Sequence, residues 1–316
     1  MSVALFIVKI IAYYLTHSLA ILSDALESIV NVLAGVIGLY SLYVAAKPSD
    51  EDHPYGHGKA EFVSAAAEGG LIVAAGILIL YETGSNIISS KPVNALDAGI
   101  ILVAATAVVN YVAGYICLKV GKKNRSLALR ASGKHLQTDT YSTLAVVAGL
   151  LVMTVTRIYW LDKVIAVAMS FFIMRNGYLI IRQSLAGIMD QQDMALLKEL
   201  VTLLNKERRV NWIDLHNLRI IKYGRQLHID CHLTVPWYLN VHEAHNEIDY
   251  LKKLISERFE DTIEFFVHTD GCLPFSCRLC DKFTCPVREH PFEHKVEWNL
   301  DNLLSNQKHS IGQDRL

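Results

Sequence analysis

The feature that most constrains this chain is a set of polar side chains inside an apolar run. Ser18 to Ala45 is long enough to cross a bilayer at about 1.5 Å of rise per residue, yet it carries Asp24, Glu27, Ser28 and Asn31. A carboxylate at mid-bilayer costs roughly 2.5–3.5 kcal/mol, so these residues are not fillers. At spacings of three and four they share one helix face. Such a stripe either glues neighbouring helices together or faces a water-filled path. In the second case Glu27 and Asn31, one turn apart, offer two oxygen ligands to one cation.

The chain has 316 residues, of which 52% are hydrophobic. Its mean hydropathy of +0.28 is too high for a typical soluble globule and too mixed for an all-membrane protein. Apolar runs concentrate before about residue 190 and charges after it, which predicts a membrane domain followed by a soluble one. A formal net charge of −1 points to no nucleic-acid partner. The N-terminus has no cleavable signal pattern, because its apolar run leads straight into the next helix. The first span is short at its start, which places the numbered Met1 inside the first helix.

Six spans are expected, near Val3–Tyr14, Leu19–Ala45, Ala60–Ile88, Ala98–Val120, His135–Thr156 and Val164–Ile181. The loop after the fourth carries Lys119, Lys122, Lys123, Arg125 and Arg130. Connections on the other side are poorer in cations, with Lys91 in one and Arg157 and Lys163 in another. The positive-inside rule then puts the basic loop, both termini and the C-terminal domain in the cytoplasm.

At the start of the fifth span, His135 and Asp139 stand four residues apart and stack on one face. Together with Glu27 and Asn31 they make one nitrogen and three oxygen ligands, a four-coordinate set for a divalent transition metal. Imidazole also titrates near neutral pH, so protons compete with the metal. The plainer alternative is a structural His–Asp hydrogen bond at a helix start.

Here the chain resembles the cation diffusion facilitators, which export divalent metals, generally in exchange for protons. The most specific match is His53-Pro54-Tyr55-Gly56-His57-Gly58-Lys59-Ala60-Glu61, and the resemblance runs from the first span to about Asp270. It implies a transport site at Glu27, Asn31, His135 and Asp139. His135 and Asp139 match the family's His-x-x-x-Asp pair directly. On the second span Glu27 and Asn31 replace the usual His or Asp followed by Asp, so the position carries over and the selectivity does not. The resemblance also implies a loop metal site at Asp50, His53 and His57, against which stands a solvated acidic loop turned by Pro54 and the glycines. It implies as well a pairing of Lys59 with Asp190 that couples the two domains.

After Asp190 the order is Met194–Lys206 (helix), Leu215–Tyr223 and Gln226–Val235 (strands about Tyr223-Gly224-Arg225), Val241–Phe259 (helix) and Thr262–Asp270 (strand). His228, Asp230 and His232 alternate with apolar residues and so share one strand face. The α-β-β-α-β order resembles the family's ferredoxin-like cytoplasmic domain, which dimerises and binds metal. His216, His232, His245, His268 and Asp270 stand where that resemblance places ligands.

The fold expected is therefore an α-helical membrane protein of six transmembrane helices with a C-terminal α+β ferredoxin-like cytoplasmic domain. Its divisions are 1–190, 191–271 and a Cys/His-rich tail at 272–316, loosely ordered from Ser305. Cys272, Cys277, Cys280 and Cys285 in that tail suit a tetrahedral zinc site, an iron–sulfur cluster or no ligand at all. The function expected is export of divalent transition-metal cations, zinc foremost, by proton antiport from a homodimer in the cell (inner) membrane. Metal then serves as both substrate and regulator. The alternative is a membrane-anchored metal sensor or store. The chain has no P-loop run for an ATP-driven pump, and His135 and Asp139 have no paired nucleophile for hydrolysis.

Overall fold

A computed structural model describes residues 1–89, 96–123, 127–223, 226–259 and 262–311. Lys91, Arg125 and the Gly224-Arg225 turn lie outside them. The chain separates into two compact units, Met1–Tyr43 with Glu61–Leu185, and Val44–Ala60 with Ala186–Leu316.

The first unit is built from α1 (Ser2–Thr16), α2 (Leu19–Ala45), α3 (Ala60–Ser89), α4 (Leu96–Lys123), α5 (Leu127–Thr156) and α6 (Leu161–Ile188). Five of these, α2 to α6, are long and apolar enough to cross a membrane. At the expected first span, α1 is a 15-residue apolar helix, about 22 Å long against a hydrocarbon core of about 30 Å. Large apolar side chains such as Leu39, Tyr81, Ile101 and Val155 point outward, as they do where the surrounding solvent is lipid. A tight inner cluster holds Ile21, Val103, Val146, Leu150 and Met153.

Two devices set the positions of the helices. The Ser18 hydroxyl donates to Asp162 Oδ1 at 2.5 Å, and the Leu19 and Ala20 N–H groups donate to the same carboxylate at 2.7 and 3.2 Å. A buried acid at the start of α6 thus caps the N-terminus of α2. Gly69 and Gly177 bring α3 and α6 into backbone contact. A Cβ on either would meet the carbonyl oxygen of the other at 2.8 Å, the close approach that small residues permit between membrane helices.

The C-terminal fold follows the order α7 (Met194–Lys206), β1 (Asp214–Tyr223), β2 (Gln226–Val235), α8 (Val241–Phe259) and β3 (Thr262–Gly271). Asp193 caps α7 by accepting from Ala195 and Leu196 N–H, and α7 buries Leu197, Leu200, Val201 and Leu204 at helical spacing. β1 and β2 pair antiparallel, and β2 and β3 pair parallel across the α8 connection. Ile229, Cys231, Leu233 and Val235 face the core with Leu251 and Ile255 of α8.

The tail folds back onto this domain. Trp298 is buried under the Arg208 guanidinium, 3.9 Å from its ring centre, and exchanges backbone bonds with the Asn205 side chain. A short helix, α9 (Leu300–Leu303), then adds Leu303 to the core. Composition predicts a loose end from Ser305, yet residues 305–311 are placed. Asn217 N–H donates to Ser305 C=O at 2.7 Å, and His309 N–H donates to Asp214 at 3.0 Å. The polar residues there are held by hydrogen bonds rather than by apolar burial, which hydropathy does not register.

Candidate metal sites

In the membrane unit, α2 and α5 present their polar residues to each other. Asn31 Nδ2 donates to Asp139 Oδ2 at 2.8 Å, and His135 Nε2 lies 3.7 Å from the same oxygen. Asp139 is buried while His135 is exposed. Asn31, His135 and Asp139 border two cavities. One, of about 140 Å³, also reaches Glu27, Glu68, Thr138 and Asn176. The other, of about 290 Å³, also reaches Ser28 and Asn110. The four residues expected at a transport site therefore converge, three by direct contact and Glu27 through the shared cavity.

Sequence reasoning missed Glu68 and Asn176. Each lies within an apolar span, and each adjoins a glycine of the α3–α6 contact, Gly69 or Gly177. It also missed Lys9. The Lys9 ammonium lies 2.9 Å from Asp24 Oδ2 and donates to Thr143 Oγ1 at 3.4 Å, and that hydroxyl donates to Asp24 Oδ1 at 2.7 Å. Lys9 and Asp24 are both almost fully buried. Asp24 shares the polar stripe of α2, but its charge is already matched by an internal cation.

In the loop, Asp50, His53 and His57 bring one ligand atom each within 4.8 Å of one another. Asp50 Oδ1 accepts from His53 N–H at 2.7 Å, and Asp50 Oδ2 lies 3.5 Å from His57 Nε2. The His53 backbone bond, aided by the two imidazoles, holds the Asp50 carboxyl below its ordinary value. Gly56 sits at φ +80°, where its missing Cβ lets the chain turn. Lys59 Nζ meets both Asp190 oxygens, at 2.9 and 3.0 Å, and Ile188 C=O at 3.3 Å, over the Tyr223 ring. Burial alone would lower the Lys59 ammonium, but Asp190 and Tyr223 outweigh it and raise the value.

The C-terminal sheet sets three histidines in a row. Pairing places His216 opposite His232 and His232 opposite His268, so their rings lie tilted to one another with centroids 5.0 and 4.7 Å apart. Asp270 receives all three, at 3.7 Å from His216, 3.6 Å from His232 and 3.5 Å from His268. His216, His232 and Asp270 form a second group with ligand atoms within 4.8 Å of one another. Burial and then the two flanking imidazoles push His232 below its ordinary value, leaving it neutral and able to ligate. The structure does not bring His245 to this group: it is exposed on α8, 3.6 Å from Asp249.

Three further residues, unforeseen from spacing, adjoin the row. Asp214 faces His216 at 3.5 Å and makes a very short contact with the His309 ring. Although burial raises it, bonds from His216 and His309 hold the Asp214 carboxyl well below the carboxylate range. Lys308 Nζ lies 3.4 Å from Asp270 Oδ1. The tail cysteines are all free thiols, and burial pushes Cys272 and Cys280 upward.

Known proteins share this two-part organisation. The profile of the cation efflux transmembrane domain matches residues 1–189, and that of the cation efflux protein cytoplasmic domain matches residues 196–272. The chain is 32% identical over 250 residues to the "Uncharacterized transporter sll1263" of Synechocystis, covering 79% of this chain and 81% of that protein. It is 26% identical over 270 residues to the "Cation-efflux pump FieF" of Shewanella oneidensis, covering 85% and 90%. Against the "Manganese efflux system protein MneS" of Bacillus subtilis it is 26% identical over 253 residues, covering 79% and 85%. With apolar helices that converge polar residues, a C-terminal ferredoxin-like domain and both profiles matched, this multi-pass membrane protein belongs to the cation diffusion facilitator family of metal-cation efflux transporters.

Proposed function

We propose that the chain exports divalent transition-metal ions, zinc foremost, from the cytoplasm in exchange for protons, as a homodimer with both termini and the C-terminal domain in the cytoplasm. The observation that carries this reading is the meeting of Asn31, His135 and Asp139 beside Glu27 between two cavities. The cargo ion is held by the His135 imidazole, the Glu27 and Asp139 carboxylates and the Asn31 carbonyl oxygen, a borderline donor set that suits zinc better than calcium or magnesium. Asn31 now directs its NH2 at Asp139, so taking up the ion requires the amide to turn its oxygen inward. Protons and metal compete for the same imidazole and carboxylates, which couples release of one to uptake of the other.

In the same reading, the His216/His232/Asp270 group, with His268 beside it, binds metal as a regulator and the Asp50/His53/His57 loop is an accessory site. Lys59 and Asp190 act as the coupling pair. The test is metal-dependent proton flux in proteoliposomes across a panel of divalent ions. Flux with zinc that is lost in Asp139→Ala is the expected result. Undiminished flux in that variant overturns the site, and binding without flux for any ion assigns a sensor or store instead.

A further inference from the structure

The match to the cytoplasmic-domain profile ends at residue 272, where a cysteine loop begins. Cys272 closes β3, its N–H donating to Val235 C=O at 2.9 Å. Cys277 lies in the turn Pro274–Arg278, Cys280 follows it, and Cys285 ends a turn begun at Lys282. Arg288 ties the loop together. One guanidinium nitrogen donates to the carbonyls of Cys277 and His290, at 2.9 and 3.2 Å, and the other to those of Cys280 and Lys282, at 2.9 and 3.0 Å. The Cys272 thiol is within electrostatic reach of the other three.

Hydrogen-bond donors are aimed at the sulfurs. The Trp237 N–H is directed at Cys272 and the Lys282 N–H at Cys280. Neutral thiols are weak acceptors. Backbone N–H groups and a nearby guanidinium instead suit sulfur that carries charge, and donors of this kind fix and tune thiolate ligands around a metal.

We propose that Cys272, Cys277, Cys280 and Cys285 form a tetrathiolate site for one zinc ion that clasps the tail to the end of the C-terminal sheet. The site is closed and structural, distinct from the cargo cavity and from the His/Asp groups. All four ligands are thiolates, the softest donors in the chain, and they leave no position open for exchange. The sulfurs are not within 4.8 Å of one another as the ligand atoms of the two His/Asp groups are, so the ion draws them together by rotation about the cysteine χ1 bonds. Each thiol gives up its proton to solvent as zinc binds.

The test uses the full-length protein in detergent, carrying Glu27→Ala, Asp139→Ala, His53→Ala and His232→Ala so that the other sites are silent. After zinc loading and a brief chelator wash, one zinc ion per chain is expected to remain, to be released by a thiol-reactive mercurial, and to be lost on adding Cys277→Ser and Cys280→Ser. Because those variants can misfold, cobalt substitution of the cysteine-intact protein provides a second readout, a thiolate-to-cobalt charge-transfer band with tetrahedral visible bands. No retained zinc, absence of the cobalt band, a disulfide found by mass, or co-purified iron with sulfide would each overturn the proposal. The readouts are bound metal and spectra, so failure here leaves the transport reading standing and failure of flux leaves this one.

Discussion

At the scale of single residues, the Lys9–Asp24 pair sets one acid of the α2 stripe apart from the others. Glu27 and Asp24 lie on the same helix stripe, but only Asp24 has a cation and a hydroxyl committed to it. Removing one partner of a buried pair leaves the other charge stranded, at about 3–5 kcal/mol. Lys9→Met is therefore expected to lower thermal stability in detergent markedly, and Lys9→Met with Asp24→Asn to recover most of the loss. Equal destabilisation by the single and double variants would show that the cost comes from packing and not from the stranded charge. Asn31 is the opposite case. Its bond to Asp139 joins two residues that local spacing assigns to different helices.

At the scale of elements, the cavity beside Glu27, Asn31 and Asp139 depends on how closely α3 and α6 approach. Glu68 and Asn176 reach the cavity beside the glycines of that contact. At Gly177 an added Cβ would also come within 2.9 Å of Val73 Cγ2, so backbone and side chain would both have to give. Overpacking of this kind costs typically 1–3 kcal/mol. Gly177→Leu is expected to lower the melting temperature and to weaken metal binding at the cavity by about tenfold, the equivalent of about 1.4 kcal/mol. Calorimetric titration checks this, and wild-type affinity in that variant would separate the cavity from the helix contact. The α2 cap from Asp162 works in the same way, setting where Glu27 and Asn31 stand along the bundle.

At the scale of the whole molecule, the C-terminal unit carries a cation of its own at a candidate metal group. Lys308 holds Asp270 Oδ1 while its neighbour His309 holds Asp214. A metal ion arriving at His216, His232 and Asp270 Oδ2 shares the carboxylate with that ammonium, which competes for its charge. Lys308→Ala, read in an Asp139→Ala background, is expected to tighten zinc binding there by several-fold, and unchanged affinity would show that Lys308 does not compete. His232 sits below its unfolded value, so its contribution to stability is full above about pH 6.5 and is lost as pH falls through the folded value. Metal binding at the row should follow the same course, persisting at pH 6.5 and declining in more acidic solution.

Much of this protein was legible in the chain alone because helix and strand periodicities are local. The long apolar runs, the Glu27/Asn31 and His135/Asp139 pairs, the strands Gln226–Val235 and Thr262–Asp270 and the cysteine spacing all follow from 3.6-residue and two-residue repeats or from simple separation along the chain. The tertiary structure decided which of those faces meet. It turned Asn31 onto Asp139, gave Asp24 to Lys9, and added Glu68 and Asn176 to the cavity. In the C-terminal unit it lined up His216, His232 and His268 by strand register, left His245 with Asp249, and returned Lys308 and His309 to the sheet. Those outcomes depend on register, helix rotation and glycine contacts between segments many residues apart, and no local repeat encodes them.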